Sequence, residues 1–350
     1  MRIFVTGNLG YIGSVMTPML AEAGYDVWGL DTGYYTECIL GERPDARVSR
    51  QLTTDIRRLE KIDLAGVDAV VHLAALSNDP TGELNPTLTE DINTNGSMRL
   101  AELAQSAGVQ RFIFASSCSI YGQSEEAALT EESPFAPQTA YARSKVDAER
   151  YLSRLASAHF SPVYLRNATA YGLSPRLRLD LAVNNLTGWG CTTGQVKLQS
   201  DGRAWRPMVH ITDICRAVLA TLAAPTSTIH NEAFNIGSEQ ENYQIRDIAN
   251  LVAQVVPHCT VTFAEGASAD NRTYNVSFAK VRRLLPGFMP RWTVGQGIAE
   301  LHAAFQQCSF THNDFESRLF TRLKQLQYLQ ATQQVDDKLY WNNMAPVLPS

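Results

Sequence analysis

Three residues near the middle of the chain have the types and spacing that can remove a proton from an alcohol: Ser117, Tyr141 and Lys145. Tyr141 and Lys145 are four residues apart in a segment that we predict to be a helix, residues 140–157, so their side chains share one face. An ordinary tyrosine has a pKa of about 10 and is a poor base at neutral pH. A nearby ammonium favours the phenolate, which makes Tyr141 a candidate general base. Because Tyr-x-x-x-Lys also occurs by chance, an exposed helix face is the alternative for this pair alone.

Ser117 follows a predicted strand, residues 111–116, that ends in small hydroxyl residues and a turn. In an open parallel sheet, ligands bind beyond the carboxyl ends of the strands. Ser117 is therefore placed to hydrogen-bond the substrate oxygen that Tyr141 deprotonates. Together, the three residues predict hydride transfer at a carbinol carbon more strongly than any one of them does.

Near the start of the chain, Gly7, Gly10 and Gly13 follow a predicted strand (2–5) and open a predicted helix (11–23). A glycine-rich turn lets the backbone approach a pyrophosphate, and the start of the helix offers N–H groups and a positive dipole end. The strand and helix on either side are the context that this motif requires. The alternative is a plain turn.

A carboxylate follows the second predicted strand, at Asp31, 18 residues after Gly13. There it can accept hydrogen bonds from the hydroxyls of an adenosine ribose. It would repel a 2′-phosphate, and Thr32-Gly33 supply no arginine to hold one, so we predict NAD rather than NADP. Asp55 follows a third predicted strand and either reaches the adenine edge or serves only in its turn.

Strands and helices alternate through the first half of the chain, which indicates βαβ units. We therefore predict an α/β fold: a doubly wound parallel sheet of the Rossmann type with a smaller mixed α/β C-terminal substrate domain. The predicted strands are residues 2–5, 26–30, 68–73, 111–116 and 162–166, and the helices of this half are 11–23, 88–107 and 140–157. The second half has a predicted strand at 259–263 and helices at 243–256 and 294–306.

The domain boundaries follow from this change of pattern. We assign residues 1–172 to the nucleotide-binding domain, with 207–237 returning to it, and residues 173–206 and 238–310 to the substrate domain. Residues 311–350 are predicted to be a helical tail. Its amphipathic stretch, 316–330, is expected to pack on its own chain rather than on a partner.

Composition limits the functional class. The 350 residues are 45% hydrophobic and 19% charged, with 30 basic and 35 acidic residues and a net charge of −5. No basic run is present, which argues against nucleic acid as a partner. The six cysteines form no Cys-x-x-Cys pair, so neither a metal site nor a disulfide framework is predicted. No secretory signal or membrane span is expected, and we predict a cytoplasmic protein.

Taken together, these motifs resemble the extended short-chain dehydrogenase/reductase family, in its nucleotide-sugar epimerase/dehydratase branch. The resemblance covers residues 1–310 and adds His72-Leu-Ala-Ala75, Leu165-Arg166 and Val209-His-Ile-Thr-Asp213 to the motifs above. It implies NAD that is reduced and reoxidised within one turnover, a nucleotide-sugar substrate, and a homodimer formed through the helices at 88–107 and 140–157.

The resemblance also implies particular contacts. Those to NAD are expected from Gly7, Asn8, Leu9, Gly10, Tyr11, Ile12, Gly13, Asp31, Asp55, Ile56, Leu73, Ala74, Ala75, Asn93, Ser116, Tyr141, Lys145 and Asn167. Contacts to the substrate are expected from Ser117, Thr169, Asn184, Asn185, Arg206 and Arg272. For each arginine alone, a surface salt bridge is the alternative to binding a diphosphate. Arg176 and Arg178 are further candidates for reading a carboxylate or a phosphate.

Departures from the family pattern bear on the reaction. Dehydratases of this family usually place Asp-Glu directly after the catalytic hydroxyl residue, as acid and base for the loss of water, whereas this chain has Cys118-Ser119. We therefore predict a nucleotide-sugar epimerase that acts at C4 through a transient keto-sugar. The alternatives are a keto-sugar reductase or dehydrogenase, a decarboxylase of the same fold, or, more remotely, a non-catalytic NAD-binding sensor.

Overall fold

The computed structural model describes residues 1–42, 45–77, 82, 85–123, 128–268, 273–285 and 287–343. Its central element is a sheet of seven strands, all parallel, in the order β10-β6-β5-β4-β1-β2-β3. These strands are β1 (Arg2–Thr6), β2 (Asp26–Asp31), β3 (Arg50–Thr53), β4 (Ala69–His72), β5 (Arg111–Ser117), β6 (Ser161–Asn167) and β10 (Glu232–Ile236). The strand order reverses direction between β1 and β4, and ligands bind beyond the strand ends at such a point.

Helices cover both faces of this sheet. On one face, Met16 and Leu20 pack with Ile214 and Val218; on the other, Leu100 packs among residues that are almost all fully buried. The helices of this part are α1 (Gly13–Glu22), α2 (Pro86–Thr89), α3 (Gly96–Ser106), α4 (Ala140–Leu155), α6 (Ile211–Ala223) and α7 (Thr226–Ile229). The predicted helix 88–107 contains a π-helical segment, Glu90–Asn95, between α2 and α3. The predicted doubly wound α/β architecture is confirmed.

A smaller mixed layer packs against the carboxyl end of the sheet. Its strands form two short sheets: β7 (Thr169–Tyr171), β9 (Trp205–His210) and β11 (Asn242–Gln244), and β8 (Gln195–Ser200) with β12 (Thr260–Ser268). Its helices are α5 (Ala182–Thr193), α8 (Ile245–Val255), α9 (Ala279–Leu284) and α10 (Val294–Gln307). Because β7 and β9 pair with each other outside the main sheet, the boundaries that we placed at residues 172 and 207 do not follow the sheets.

The amphipathic stretch predicted at 316–330 is not one continuous helix. The segment consists of α11 (His312–Glu316), a 3₁₀ turn (Arg318–Phe320) and α12 (Arg322–Ala331). Leu326 and Leu329 are buried against Tyr34 and Leu76, so the tail packs on its own chain. Residues 344–350 of the predicted tail lie outside the described residues.

The remaining short turns are 3₁₀ helices at Ile56–Arg58, Lys61–Leu64, Cys118–Tyr121 and Glu239–Glu241. Among the helices in the described ranges, none has both the length and the apolar character required to cross a bilayer.

Candidate active site

The glycine-rich turn joins β1 to α1 and is packed too closely for side chains. Gly7 has a φ of +75°, and a Cβ on it would lie 2.9 Å from the backbone nitrogen of Ala74. A Cβ on Gly13 would lie 2.2 Å from the carbonyl oxygen of Gly7. The first contact holds the turn against the loop after β4, and the second keeps the turn compact at the start of α1, where a bound pyrophosphate is expected.

A cavity of about 140 Å³, here called the cofactor cavity, lies over this turn. Its wall contains eleven of the residues predicted to contact NAD. They are Gly7, Gly10, Tyr11, Ile12, Gly13, Asp31, Asp55, Ile56, Leu73, Ala74 and Ala75. The loop after β1, the end of β2 and the loop after β4 therefore converge on one space, as the strand order requires.

The two carboxylates of this cavity are fixed by their neighbours. Asp31 accepts hydrogen bonds from the backbone N–H groups of Leu9 (3.2 Å) and Gly33 (2.9 Å). Burial raises its pKa, and the two amides partly counteract that rise. Asp55 accepts from the backbone of Arg57 at 2.8 Å and from its guanidinium at 2.7 and 2.9 Å. The capping role that was the alternative for Asp55 is therefore real, and Asp55 also lines the cavity.

Three residues predicted to contact NAD, Asn8, Leu9 and Asn93, do not line the cofactor cavity. Asn8 is buried, and its amide donates to Gln51 at 2.8 Å, while Leu9 contributes its N–H to Asp31. Asn93 accepts from the backbone N–H of Leu76 and donates to its carbonyl, so its amide positions the loop after β4. Direct contact of the Asn8 and Asn93 side chains with NAD is thus not supported, because both amides are occupied by the protein.

His72 is likewise structural rather than part of the cavity wall. Its ring bridges the hydroxyls of Thr6 (2.6 Å) and Ser97 (2.8 Å). Burial, and to a lesser degree the charge of Lys145, lowers its pKa to about 3, so the ring is neutral at physiological pH.

A second cavity, of about 560 Å³, opens next to the first and is here called the substrate cavity. Ser117 at the end of β5 and Tyr141 and Lys145 in the first turns of α4 all line it. The hydroxyl of Thr139 accepts from the N–H of Ala142 and caps α4, which fixes where the helix begins. The structure therefore brings the three predicted catalytic residues to one wall.

Lys145 is held by its surroundings at the base of this wall. Its Nζ donates to the carbonyl of Ala115 at 2.8 Å, and lies 4.6 Å from the ring centre of Phe114 and 5.6 Å from that of Tyr141. Burial lowers the pKa of Lys145 to about 8, while the carboxylate of Glu149, one turn later, opposes this shift. Lys145 is thus mostly charged at neutral pH and close to losing its charge.

Buried polar atoms without partners mark where a ligand is expected. Ser116 and Ser119 have hydroxyl oxygens, and Asn167 has an amide oxygen, that are buried and accept or donate no hydrogen bond among the described residues. All three residues line the substrate cavity. Because such atoms are costly to bury unpaired, the wall is suited to a ligand rich in hydrogen-bonding groups. Nicotinamide, ribose and sugar hydroxyls all have this chemistry.

The two residues at the positions of the dehydratase acids point in different directions. The thiol of Cys118 donates to the carbonyl of Arg166 at 3.1 Å, is fully buried and lies outside the cavity wall. Burial raises the pKa of this thiol far above neutral. Ser119 lines the cavity but carries only a hydroxyl. Neither position supplies an acid or a base of suitable strength for the loss of water.

Some of the residues predicted to contact the substrate line the substrate cavity, and others do not. Thr169, Asn185 and Arg206 line the substrate cavity, with the guanidinium of Arg206 packed 5.5 Å from the ring centre of Tyr274. Asn184 does not line it: it is fully buried and its amide bonds Tyr11 and the backbone of Gly172 and Arg178. The prediction for Asn184 is corrected, because it faces inward from α5 where its neighbour faces the cavity. Arg272 lies outside the described residues.

Two arginines line the cofactor cavity, and the sequence predicted only one of them, Arg178, as a possible ligand-binding residue. Arg178 lines both cavities, is buried, and pairs with Asp180 at 2.9 and 3.0 Å. Arg322, from the tail, lines the cofactor cavity beside Tyr34 and Tyr35. No local pattern points to Arg322, because it comes from 291 positions beyond Asp31. Arg178 was considered for a substrate phosphate rather than for its place between the two cavities.

Comparison with known proteins agrees with this architecture. The model of the NAD dependent epimerase/dehydratase family matches residues 3–237. A UDP-glucose 4-epimerase of Corynebacterium glutamicum is 28% identical over 319 residues, which are 87% of this chain and 95% of that protein. A dTDP-glucose 4,6-dehydratase of Streptomyces niveus is 28% identical over 318 residues, 86% and 91% of the two chains. The solved structure of MoeE5 in complex with UDP-glucuronic acid and NAD is 25% identical, with a TM-score of 0.76 and coverage of 88% and 99%.

The family model spans well over half of the chain. The glycine-rich turn, Asp31 and the wall with Ser117, Tyr141 and Lys145 lie where this fold binds a dinucleotide. The chain therefore belongs to the NAD-dependent epimerase/dehydratase family, and its cofactor is NAD.

Proposed function

We propose that this enzyme is a nucleotide-sugar epimerase that inverts C4 through a transient keto-sugar. The observation that carries the proposal is the complete wall of Ser117, Tyr141 and Lys145 next to Cys118 and Ser119, which cannot perform the acid–base steps of dehydration. The reaction therefore stops at oxidation and reduction of one carbon.

In this mechanism, Tyr141 takes the proton of the C4 hydroxyl as the carbon is oxidised. The glycine-rich turn and Asp31 would hold NAD, which would supply the acceptor and donor of the hydride. The ammonium of Lys145 favours the phenolate of Tyr141, and the hydroxyl of Ser117 hydrogen-bonds the same sugar oxygen. After the keto-sugar presents its other face, Tyr141 returns the proton to the oxygen and the epimer is formed.

Support for a nucleotide-activated substrate comes from other residues that line the substrate cavity. Arg206, Asn185 and Thr169 line it together with Ser117, Tyr141 and Lys145. A guanidinium can pair with two phosphate oxygens, and amide and hydroxyl groups can read a base or a sugar. The UDP-sugar and dTDP-sugar named for the relatives have this combination of groups.

The test is to incubate the purified enzyme, without added cofactor, with UDP-, dTDP-, GDP- and CDP-hexoses and to separate the products. Formation of the C4 epimer without net change in NADH is the expected result. In parallel incubations, consumption of added NADH with reduction of a nucleotide keto-sugar would identify a reductase, and release of carbon dioxide from a nucleotide-linked uronic acid would identify a decarboxylase. No turnover by an enzyme that retains NAD would favour a binding protein.

We also propose that the enzyme is a homodimer. The family resemblance implies pairing through residues 88–107 and 140–157, and these ranges contain the π-helical segment with α3 and the neighbouring helix α4. Light scattering after gel filtration should give twice the 38.7 kDa mass of one chain, and a single-chain mass would contradict this.

A further inference from the structure

The tail reaches back to the cofactor cavity through Arg322, the first residue of α12. Its residue surface is 3% exposed, and it lines the cavity with Arg178. One terminal nitrogen, Nη2, donates to the carbonyl of Arg176 at 2.8 Å, and the guanidinium lies 4.3 Å from the ring centre of Tyr35. The other, Nη1, is buried and has no hydrogen-bond partner within the described ranges.

Arg322 is also a buried cation without a close anion. Arg178 is paired with Asp180, whereas no carboxylate in the part of the chain that the structure describes lies within 4.0 Å of the Arg322 guanidinium. Asp31 is near enough for Arg322 to lower its pKa, but lies beyond that distance. Burial and the charge of Arg178 lower the pKa of Arg322. A buried, unpaired charge is costly, so an anionic ligand in this cavity would stabilise the arrangement.

The residues at the two ends of the cofactor cavity indicate where an anionic ligand would bind. Asp31 and Asp55 mark the adenosine end, and Arg178, which also lines the substrate cavity, marks the other. The pyrophosphate is the anionic part of NAD and joins its adenosine and nicotinamide halves. A pyrophosphate at the start of α1 therefore comes between these ends, in the cavity that Arg322 lines.

We propose that Arg322 binds the pyrophosphate of NAD through its Nη1, and that the C-terminal segment 312–343 is thereby a part of the cofactor site. The inference depends on NAD and not on the proposed reaction. It would stand for a reductase as well as for an epimerase, and it is tested by binding rather than by turnover.

Other contacts of the segment hold Arg322 in place. The indole N–H of Trp341 donates to the carbonyl of Thr32 at 2.7 Å, and the hydroxyl of Tyr34 donates to the carbonyl of Leu339. Gln325 donates to the carbonyl of Tyr34 at 3.0 Å. These bonds tie the tail to the loop directly after Asp31.

The experiment compares cofactor binding by the full-length Arg322→Met variant with that of the unmodified protein, both stripped of NAD. Calorimetry with NAD, ADP and adenosine separates the pyrophosphate from the nucleoside, and calorimetry with NADP detects a contact to a 2′-phosphate. A lost charge-assisted hydrogen bond corresponds to a rise in Kd of about 10- to 100-fold, which is expected for NAD and ADP but not for adenosine. Lys324→Met is the matched control, because Lys324 is half-exposed, lies in the same helix and bonds only Glu316 in the described structure.

Three results would overturn the proposal. One is unchanged binding of NAD and ADP, and another is an equal loss for adenosine, which would make the role of Arg322 purely structural. The third is a loss confined to NADP, which would assign Arg322 to a 2′-phosphate. Thermal unfolding checks that each variant is folded. If Arg322→Met is not, Arg322→Gln removes the charge while keeping a polar group and is judged by the same outcomes.

Discussion

The buried ammonium of Lys145 makes the reaction sensitive to alkaline pH. With a pKa of about 8, Lys145 is about nine-tenths charged at pH 7 and about one-tenth charged at pH 9. Burial lowers this pKa, so the charge is lost well below the range of an exposed lysine, whose pKa is about 10.4. Only the charged form favours the phenolate of Tyr141. We therefore predict that kcat/KM falls about tenfold from pH 7 to pH 9, with an apparent pKa at or near 8.

The assay measures initial rates of epimerisation from pH 6 to pH 10 on enzyme with its resident NAD, using the nucleotide sugar that is turned over fastest. Circular dichroism at each pH shows that the protein stays folded. Lys145→Arg is the informative variant, because a guanidinium stays charged throughout this range. Its residual activity should lack the fall near pH 8. The same fall in this variant, or none in the unmodified enzyme below pH 9, would refute the assignment.

Three further substitutions each test the role of one residue. Tyr141→Phe removes the base and should lower kcat by about 10²- to 10⁴-fold while NAD, measured after denaturation, is still bound. Gly13→Ala places a Cβ 2.2 Å from the carbonyl of Gly7, so the turn must shift and the purified protein should lack NAD. Arg166→Met leaves Glu149, paired with it at 2.8 Å, as an unpaired buried charge, so the free energy of unfolding in urea should drop by about 3–5 kcal/mol.

Each of these has a matched control. Tyr151→Phe changes a tyrosine on the exposed part of α4 and should leave kcat unchanged. Gly295→Ala adds a Cβ that meets no atom within 4 Å, and NAD should be retained. Arg150→Met breaks a solvent-exposed pair 3.9 Å long and should cost less than about 1 kcal/mol. If a control variant shows the same loss as the variant that it is matched to, the loss is not caused by the contact that the test substitution removes.

The parts of the site that could be predicted from the sequence are those whose residues lie close together along the chain. The turn at Gly7–Gly13, the carboxylate at the end of β2 and the pair on α4 each lie within one strand–loop–helix unit. These three features lie close together in the folded protein because the carboxyl ends of the parallel strands share one edge of the sheet.

What the sequence missed depends on packing between distant segments. Asn184 and Asn185 are adjacent on α5, and only the rotation of that helix decides that Asn185 lines the cavity while Asn184 is buried. Arg322 reaches the cofactor cavity only because the tail turns back over the loop after β2. The residues around 317–321 read as a continuation of one apolar stripe, but the chain turns there through a short 3₁₀ segment so that both helices can pack.

The central claim is that hydride leaves C4 and returns to C4 without loss of water. It is tested most directly with a nucleotide sugar deuterated at C4, incubated with enzyme that carries its own unlabelled NAD. We predict that mass spectrometry and NMR find the deuterium at C4 of both epimers, with the mass of the sugar unchanged. Deuterium at C6 of a product that has lost one water, or in free NADH, would contradict the account.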